Sequence, residues 1–526
     1  MDPVALISWI VVFVVVTVTV SGLSGRAGVS APVALVLVGG VASFIPAVPT
    51  VEIEPDLILY GLLPPLLFAS AIRISFIDIR ARNDGIILLS VGAVAFTVVS
   101  VGFASWLLIP SITLAAAFAF AAVIAPTDAV AVSAIAGRLG LPRRVLTILE
   151  GESLLNDATA LVALNASILA ITSVVNPVMI AGEFVIEVVA GVGVGLAVGW
   201  VLSQVRRRLR APVLDTCLSL ITPFLAFLLA QSIHGSGVLA VVSAGLLLGY
   251  RAPIVQSAEA RIAESLNWRT IQFLLENAVF LFIGLNLAGI LEGAIQTGPG
   301  LWPTVFVSVG VLAALIVSRF VWEMTVTAIY RLGPRRLRER SWSWGNGIAV
   351  SAAGVRGVVT LAAVFLLPED TPSREFLQFL AFVVVVGTLL SGLALPRIIR
   401  ALHLPPPNHS QERVEQLMLM AEVQTAGLDR LDELTTEADE EQVLNRLRTN
   451  ASFVANALEQ YTGDGSELRT VAFARLRRQM IAAEREALLS ARAEGRYQEP
   501  AVAAVLAAID AEEATLKAMT PKPPRS

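Results

Sequence analysis

Arginine recurs in every second loop of an otherwise apolar chain. Thirteen mainly apolar stretches lie near 4–22, 28–46, 56–72, 85–107, 112–135, 145–172, 179–203, 213–231, 235–250, 270–290, 301–330, 345–367 and 376–398. A helix needs about 20 such residues to cross a bilayer. Arg26 follows the first stretch, Arg73, Arg80 and Arg82 the third, and Arg138, Arg143 and Arg144 the fifth. "RRRLR" (206–210) follows the seventh, Arg251, Arg261 and Arg269 lie after the ninth, "RLGPRRLRER" (331–340) follows the eleventh, and Arg397 and Arg400 follow the last. The loops between, "PAVPTVEIEP", "PSI", "TSVVNPV", "SIHG", "EGAIQTGPG" and "PEDTPS", carry neither Arg nor Lys. This alternation predicts an all-α polytopic membrane protein of about 13 spans, with the N-terminus outside and the C-terminus in the cytoplasm. The first stretch has Asp2 before it and no basic n-region, so it is expected to be a span rather than a cleaved signal.

Composition agrees. Of 526 residues, 56% are hydrophobic and 15% charged, against about 25% charged in soluble domains. One cysteine, Cys217, excludes an intramolecular disulfide framework, and the scattered His234, His403 and His409 suggest no metal site. A net charge of -4 points to no nucleic-acid partner. The transmembrane domain is expected over 1–400 and a Pro-rich linker over 401–410, where "HLPPPNHS" (403–410) stops the last helix. Residues 411–526 are polar and read as about four amphipathic helices, near 411–434, 437–460, 466–494 and 500–518. They are expected to form a cytoplasmic helical tail that packs on itself or a partner, or that senses a ligand, with a largely disordered tail as the further alternative.

Carboxylates inside spans are costly and usually face a protein interior or an aqueous path. "LEGESLLNDATALV" (149–162) crowds Glu150, Glu152, Asn156 and Asp157 into two helical turns. Ser153 and Asp157 share one face, and Glu152 and Asn156 a neighbouring face about 100° away. Such oxygens suit a hard monovalent cation or a proton, whereas Asn and Ser alone would suit a polar tie between helices. In "AAVIAPTDAVAVSAI" (121–135), Pro126 breaks the helix beside Thr127 and Asp128, a pattern expected where backbone lines a cavity. In "NGIAVSAAGVRGVVTLAAV" (346–364), Arg356 needs a buried acidic partner, for which Glu152 is the candidate. Glu276 and Arg319, each inside a span, are expected to neutralise one another.

The motifs "GESLLNDATALV", "APTDAVAV", "LPPLLFASAI" and "GVRGVVTLAAV" resemble the monovalent cation/proton antiporter family, in the branch holding exchangers of the NhaP and mammalian NHE kind. The resemblance covers about 1–400. It implies inverted repeats with broken crossing helices, and a homodimer in the cell membrane. It implies that Asp157 binds cation and proton in turn, that Asn156 braces the site, and that Ser153 is a ligand. Thr127 and Asp128 fall at the unwound crossing, so the cation is expected at Asp157, Ser153 and Thr127. A Glu–Arg structural bridge falls on Glu152 and Arg356. Ala69 stands where relatives often carry an acid, which leaves the cation open between sodium, lithium and potassium.

A carboxylate can hold a proton or a cation but not both, and competition for it makes an exchanger. No GxxxxGK[ST] loop is present, so transport is expected to be gradient-driven, without cofactor or enzymatic turnover. Asn156 beside a single Asp157 implies electroneutral exchange. Rival readings are potassium/proton exchange regulated by the tail, a cation channel, and an intramembrane aspartyl protease, whose YD and GxGD signatures are absent.

Overall fold

The computed structural model describes residues 3–27, 30–46, 48, 57–74, 85, 87–128, 143–172, 177–209, 211–339, 341–404, 409–435, 441–445, 447–448, 469–493, 505 and 509–513. Among these, every regular element is helical. Nine helices are long and apolar enough to cross a membrane, among the described residues: 7–26, 88–108, 151–171, 185–206, 212–232, 237–255, 258–285, 301–332 and 374–392. The other four expected stretches fall on shorter or interrupted helices: Ala31–Ala42, Leu63–Ala71, Leu114–Ile124, and the pair Trp344–Ala352 and Val358–Val364. The chain divides into two compact units, Met1–Pro406 and Pro407–Ser526.

Local chemistry sets several of these ends. Leu57–Leu62 is π-helical and runs into α1, Leu63–Ala71. Pro64 and Pro65 have no N–H to offer the carbonyls of Tyr60 and Gly61, so the turn before them widens. Thr113 caps α2, Leu114–Ile124, by accepting the Ala116 N–H at 3.2 Å. Ser343 does the same for α3, Trp344–Ala352, through Asn346 N–H at 3.1 Å.

The core surrounds α2. Ala116, Ala117 and every residue from Ala119 to Ile124 are buried, so this helix is apolar on all sides and sits at the centre of its unit. Its alanines let neighbours approach closely. The same device operates where Ala31–Ala42 crosses Ala258–Leu285. A Cβ on Gly39 would stand 2.9 Å from the Gly284 Cα, and one on Gly284 would stand 2.8 Å from the Gly39 Cα. The two backbones touch because neither carries a side chain there.

The second unit contains His409–Leu434 and Arg469–Ala493, matching two of the four helices expected in the tail. The expected helices near 437–460 and 500–518 lie largely outside the described residues, as do Arg80, Arg82, Arg138 and residues 129–135 of the fifth stretch. Ile481 and Ile509 pack together, flanked by ion pairs of Arg477 with Glu484 and Glu512 (each 2.6 Å) and of Arg485 with Asp510 (2.7 Å).

Candidate functional site

Two interrupted helices meet at the centre of the first unit. α2 ends at Ile124 and the chain runs on without helix through Ala125, Pro126, Thr127 and Asp128. α3 ends at Ala352, and α4, Val358–Val364, resumes after Gly357. In an unbroken helix the Asp128 N–H would bond to the Ile124 carbonyl. It donates instead to the Val355 carbonyl at 2.8 Å, in the other break. The orphaned Ile124 carbonyl accepts Arg356 Nε at 3.1 Å, and the Ala125 carbonyl accepts Arg356 Nη2 at 3.4 Å. Arg356 also donates to the Gly354 carbonyl, and its N–H donates to Thr388 Oγ1 at 3.1 Å.

Gly357 has a definite reason to be glycine. A Cβ there would enter the Asp128 carboxylate. The acid therefore lies directly against the backbone that opens α4.

The long helix α5, Arg143–Thr172, passes beside this crossing with the two polar stripes expected from its sequence. Glu152 and Asn156 are buried. Asn156 Nδ2 donates to Thr127 Oγ1 at 2.8 Å, and Thr127 Oγ1 donates to Glu152 Oε1 at 3.3 Å. Ser153 Oγ donates to the Thr127 carbonyl at 2.9 Å. Ser153 and Asp157, on the other stripe, face a cavity of about 50 Å³ together with Thr127, Asp128, Glu276 and Thr360. The three groups expected to hold the cation, Asp157, Ser153 and Thr127, thus share one cavity wall. Among the described residues, no three His, Cys, Asp or Glu side chains converge as a metal site would require.

The ion pairs differ from expectation. Glu152 bonds to Arg319, at 2.6 Å through Nη1 and 3.2 Å through Nη2, rather than to Arg356. Arg319, from Leu301–Leu332, also reaches the Val350 carbonyl at 3.1 Å and lies 4.0 Å from Glu323. Arg356 meets carbonyls because the break beneath it leaves strong acceptors without donors. Nor does Glu276 take Arg319 as its partner. Its Oε1 accepts Gln272 Nε2 at 2.5 Å, and Gln272 in turn accepts from Arg73. The spans bury Glu152, Arg319 and Arg356, and helix packing, invisible in one sequence, chooses their partners.

A second buried cluster escaped the sequence reading. Arg206, there counted as a loop charge, is 1% exposed. It forks onto Asp215 with two bonds of 2.8 Å and reaches Glu264 at 2.6 Å. Gln256 Nε2 joins both acids at 2.7 and 2.9 Å, and Ser219 links Glu264 to Trp268. The available signal was Asp215 in the first turn of Pro212–Ser232, directly after the arginine run.

Residues 11–401 match the family described as sodium/hydrogen exchanger, transmembrane. An uncharacterised sodium/proton exchanger of Mycobacterium tuberculosis is 32% identical over 96% of this chain and 95% of its own length, so the likeness runs into the tail. A sodium, potassium, lithium and rubidium/proton antiporter of Bacillus subtilis is 30% identical over 74% of this chain and 61% of its own. The structure of the sodium proton antiporter MjNhaP1 from Methanocaldococcus jannaschii superimposes with a TM-score of 0.60 at 18% identity, over 76% of this chain and 99% of the other. The motifs, the crossing of two broken helices and a family match across the membrane unit lead to one conclusion: the chain belongs to the sodium/hydrogen exchanger family.

Proposed function

We propose that this chain is a secondary antiporter that exchanges a monovalent cation for a proton at Asp157, one for one. The observation that carries the reading is the placement of Asp157 in a cavity walled by two interrupted helices. Broken backbone at membrane depth is tolerated where it serves a cavity, and a carboxylate there binds either a proton or a cation. Ser153 and Thr127 supply further oxygens, Asn156 holds Thr127 in place, and Asp128 lies against the start of α4. The Glu152–Arg319 pair and the Arg356 clamp hold the scaffold and carry no ion.

Sodium leads the candidate cations, followed by potassium and lithium, in keeping with the names of the relatives. Buried Ala69 offers no acid to sharpen the choice. The protein works in this reading as a homodimer in the cell membrane. Loop arginines assign the N-terminus to the outside and residues 411–526 to the cytoplasm as a regulatory tail.

The test is exchange in proteoliposomes with a pH dye. Wild type should move protons when sodium or potassium is added, and Asp157→Asn should be folded and inactive. With equal pH and equal cation on both sides, an imposed potential alone should drive no sustained proton movement. Robust exchange by Asp157→Asn would remove Asp157 from the mechanism, and potential-driven flux would require a second titrating acid.

A further inference from the structure

The cavity holds one more carboxylate than the proposed exchange needs. Glu276, from Ala258–Leu285, lines it together with Asp157 and with Ser70 and Leu66 of α1. Asp128 and Asp157 line the same cavity. A structural carboxylate would be expected to meet a cationic partner directly. Glu276 instead accepts the Gln272 amide at 2.5 Å, while its side chain lines the cavity.

Behind Glu276 a polar line leads outward. Gln272 Nε2 also lies 3.4 Å from Ser70 Oγ, and the Gln272 carbonyl oxygen accepts from Arg73. Arg73 is anchored at the end of α1 through Nε to the Ala69 carbonyl at 3.1 Å, and it is exposed. Ser70, Gln272 and Glu276 thus connect an exposed end of α1 with Asp157. Glu276 and Asp157 reach the one cavity from different helices, Ala258–Leu285 and α5, and Glu276 is the acid of the two that the Gln272–Arg73 line joins.

We infer that Glu276 is an entry station, a carboxylate that captures the monovalent cation from the Arg73 side and passes it to Asp157, with Gln272 positioning it. This rests on the exchanger reading above. Glu276 sets how readily the cation is captured, and Asp157 sets whether exchange occurs at all.

The experiment measures exchange in proteoliposomes over a range of sodium and, separately, potassium concentrations for wild type, Glu276→Gln, Glu276→Asp, Gln272→Leu and Asp157→Asn. Glu276→Gln should raise the apparent KM about tenfold, the scale of one lost charge attraction in a partly solvated site, while kcat changes less than about twofold. Glu276→Asp should recover most of the wild-type KM. If Glu276→Gln does not fold, Gln272→Leu decides, and its KM should rise severalfold. An unchanged KM in the folded variants, or a lost kcat at unchanged KM, overturns the entry station while wild-type exchange keeps the antiporter reading intact. No exchange by wild type would defeat the antiporter reading itself and the inference with it. A second readout is thermal stabilisation by sodium in detergent, which should need more sodium in Glu276→Gln than in wild type.

Discussion

Arg319 and Glu152 face each other across two helices through a two-pronged bond of 2.6 and 3.2 Å, both side chains almost fully buried. Removing one partner of such a pair strands the other in low dielectric and typically costs about 3–5 kcal/mol. Arg319→Met should therefore lower thermal stability in detergent more than Glu152→Gln does. The double variant should lose less than the sum. The coupling of Glu152 with Arg319 should exceed its coupling with Arg356, measured by the same double-mutant cycle.

Gly357→Ala places a methyl group where the Asp128 carboxylate now lies. Overpacking of this kind costs about 1–3 kcal/mol. Because the displaced group lines the cavity, exchange should fall about tenfold or more even in protein that remains folded. Retention of the wild-type rate by Gly357→Ala would show that Asp128 can shift without consequence.

The Arg206 cluster makes the opposite prediction. It joins Asp215, Gln256 and Glu264 away from the cavity residues. Arg206→Ala should destabilise by about 3–5 kcal/mol, seen as a lower melting temperature, while the apparent KM for the cation in surviving protein stays at the wild-type value. A shifted KM would tie this cluster to the exchange site.

In the tail, hydrogen bonds from Arg477 hold the Glu512 carboxyl below the usual carboxylate range. A depressed folded-state pKa stabilises above the unfolded value and is lost as pH falls through the folded one. Amide exchange over 469–493 should be faster in Glu512→Gln than in wild type at neutral pH. The difference should close as the pH drops below about 4, the ordinary glutamate range. The effect will be small, because the Glu512 side chain is 45% exposed to solvent.

Much of the fold could be read from residue order because membrane helices obey local rules. Length and apolarity mark the stretches, and loop arginines mark one side of them. Pro126 forecast the end of α2 because a missing N–H is a property of the residue alone. Ser153/Asp157 and Glu152/Asn156 separated onto two faces because helical geometry fixes their angle. Pairing was not legible. Arg356 and Arg319 are both arginines in apolar runs, and only the packed structure assigns one to carbonyls and the other to Glu152. Glu276 looked like a charge in need of a partner, yet a glutamine on its own helix, four residues earlier, supplies the bond. Arg206 looked like a loop residue because burial at a helix end depends on what the next helix brings.

The bond exchange between the two breaks has a mechanical consequence. Asp128 N–H grips the Val355 carbonyl while Arg356 grips those of Ile124 and Ala125, so each interrupted segment holds the other's loose end. Pulling them apart would sever three hydrogen bonds at once, at about 1 kcal/mol net for a neutral one and more for those from a guanidinium. The crossing is a rivet, not a hinge. Thr127 is fastened in turn to Ser153 and Asn156, and Glu152 to Arg319. In the proposed exchange, the motion that turns Asp157 from one side of the membrane to the other must carry these segments as a single piece.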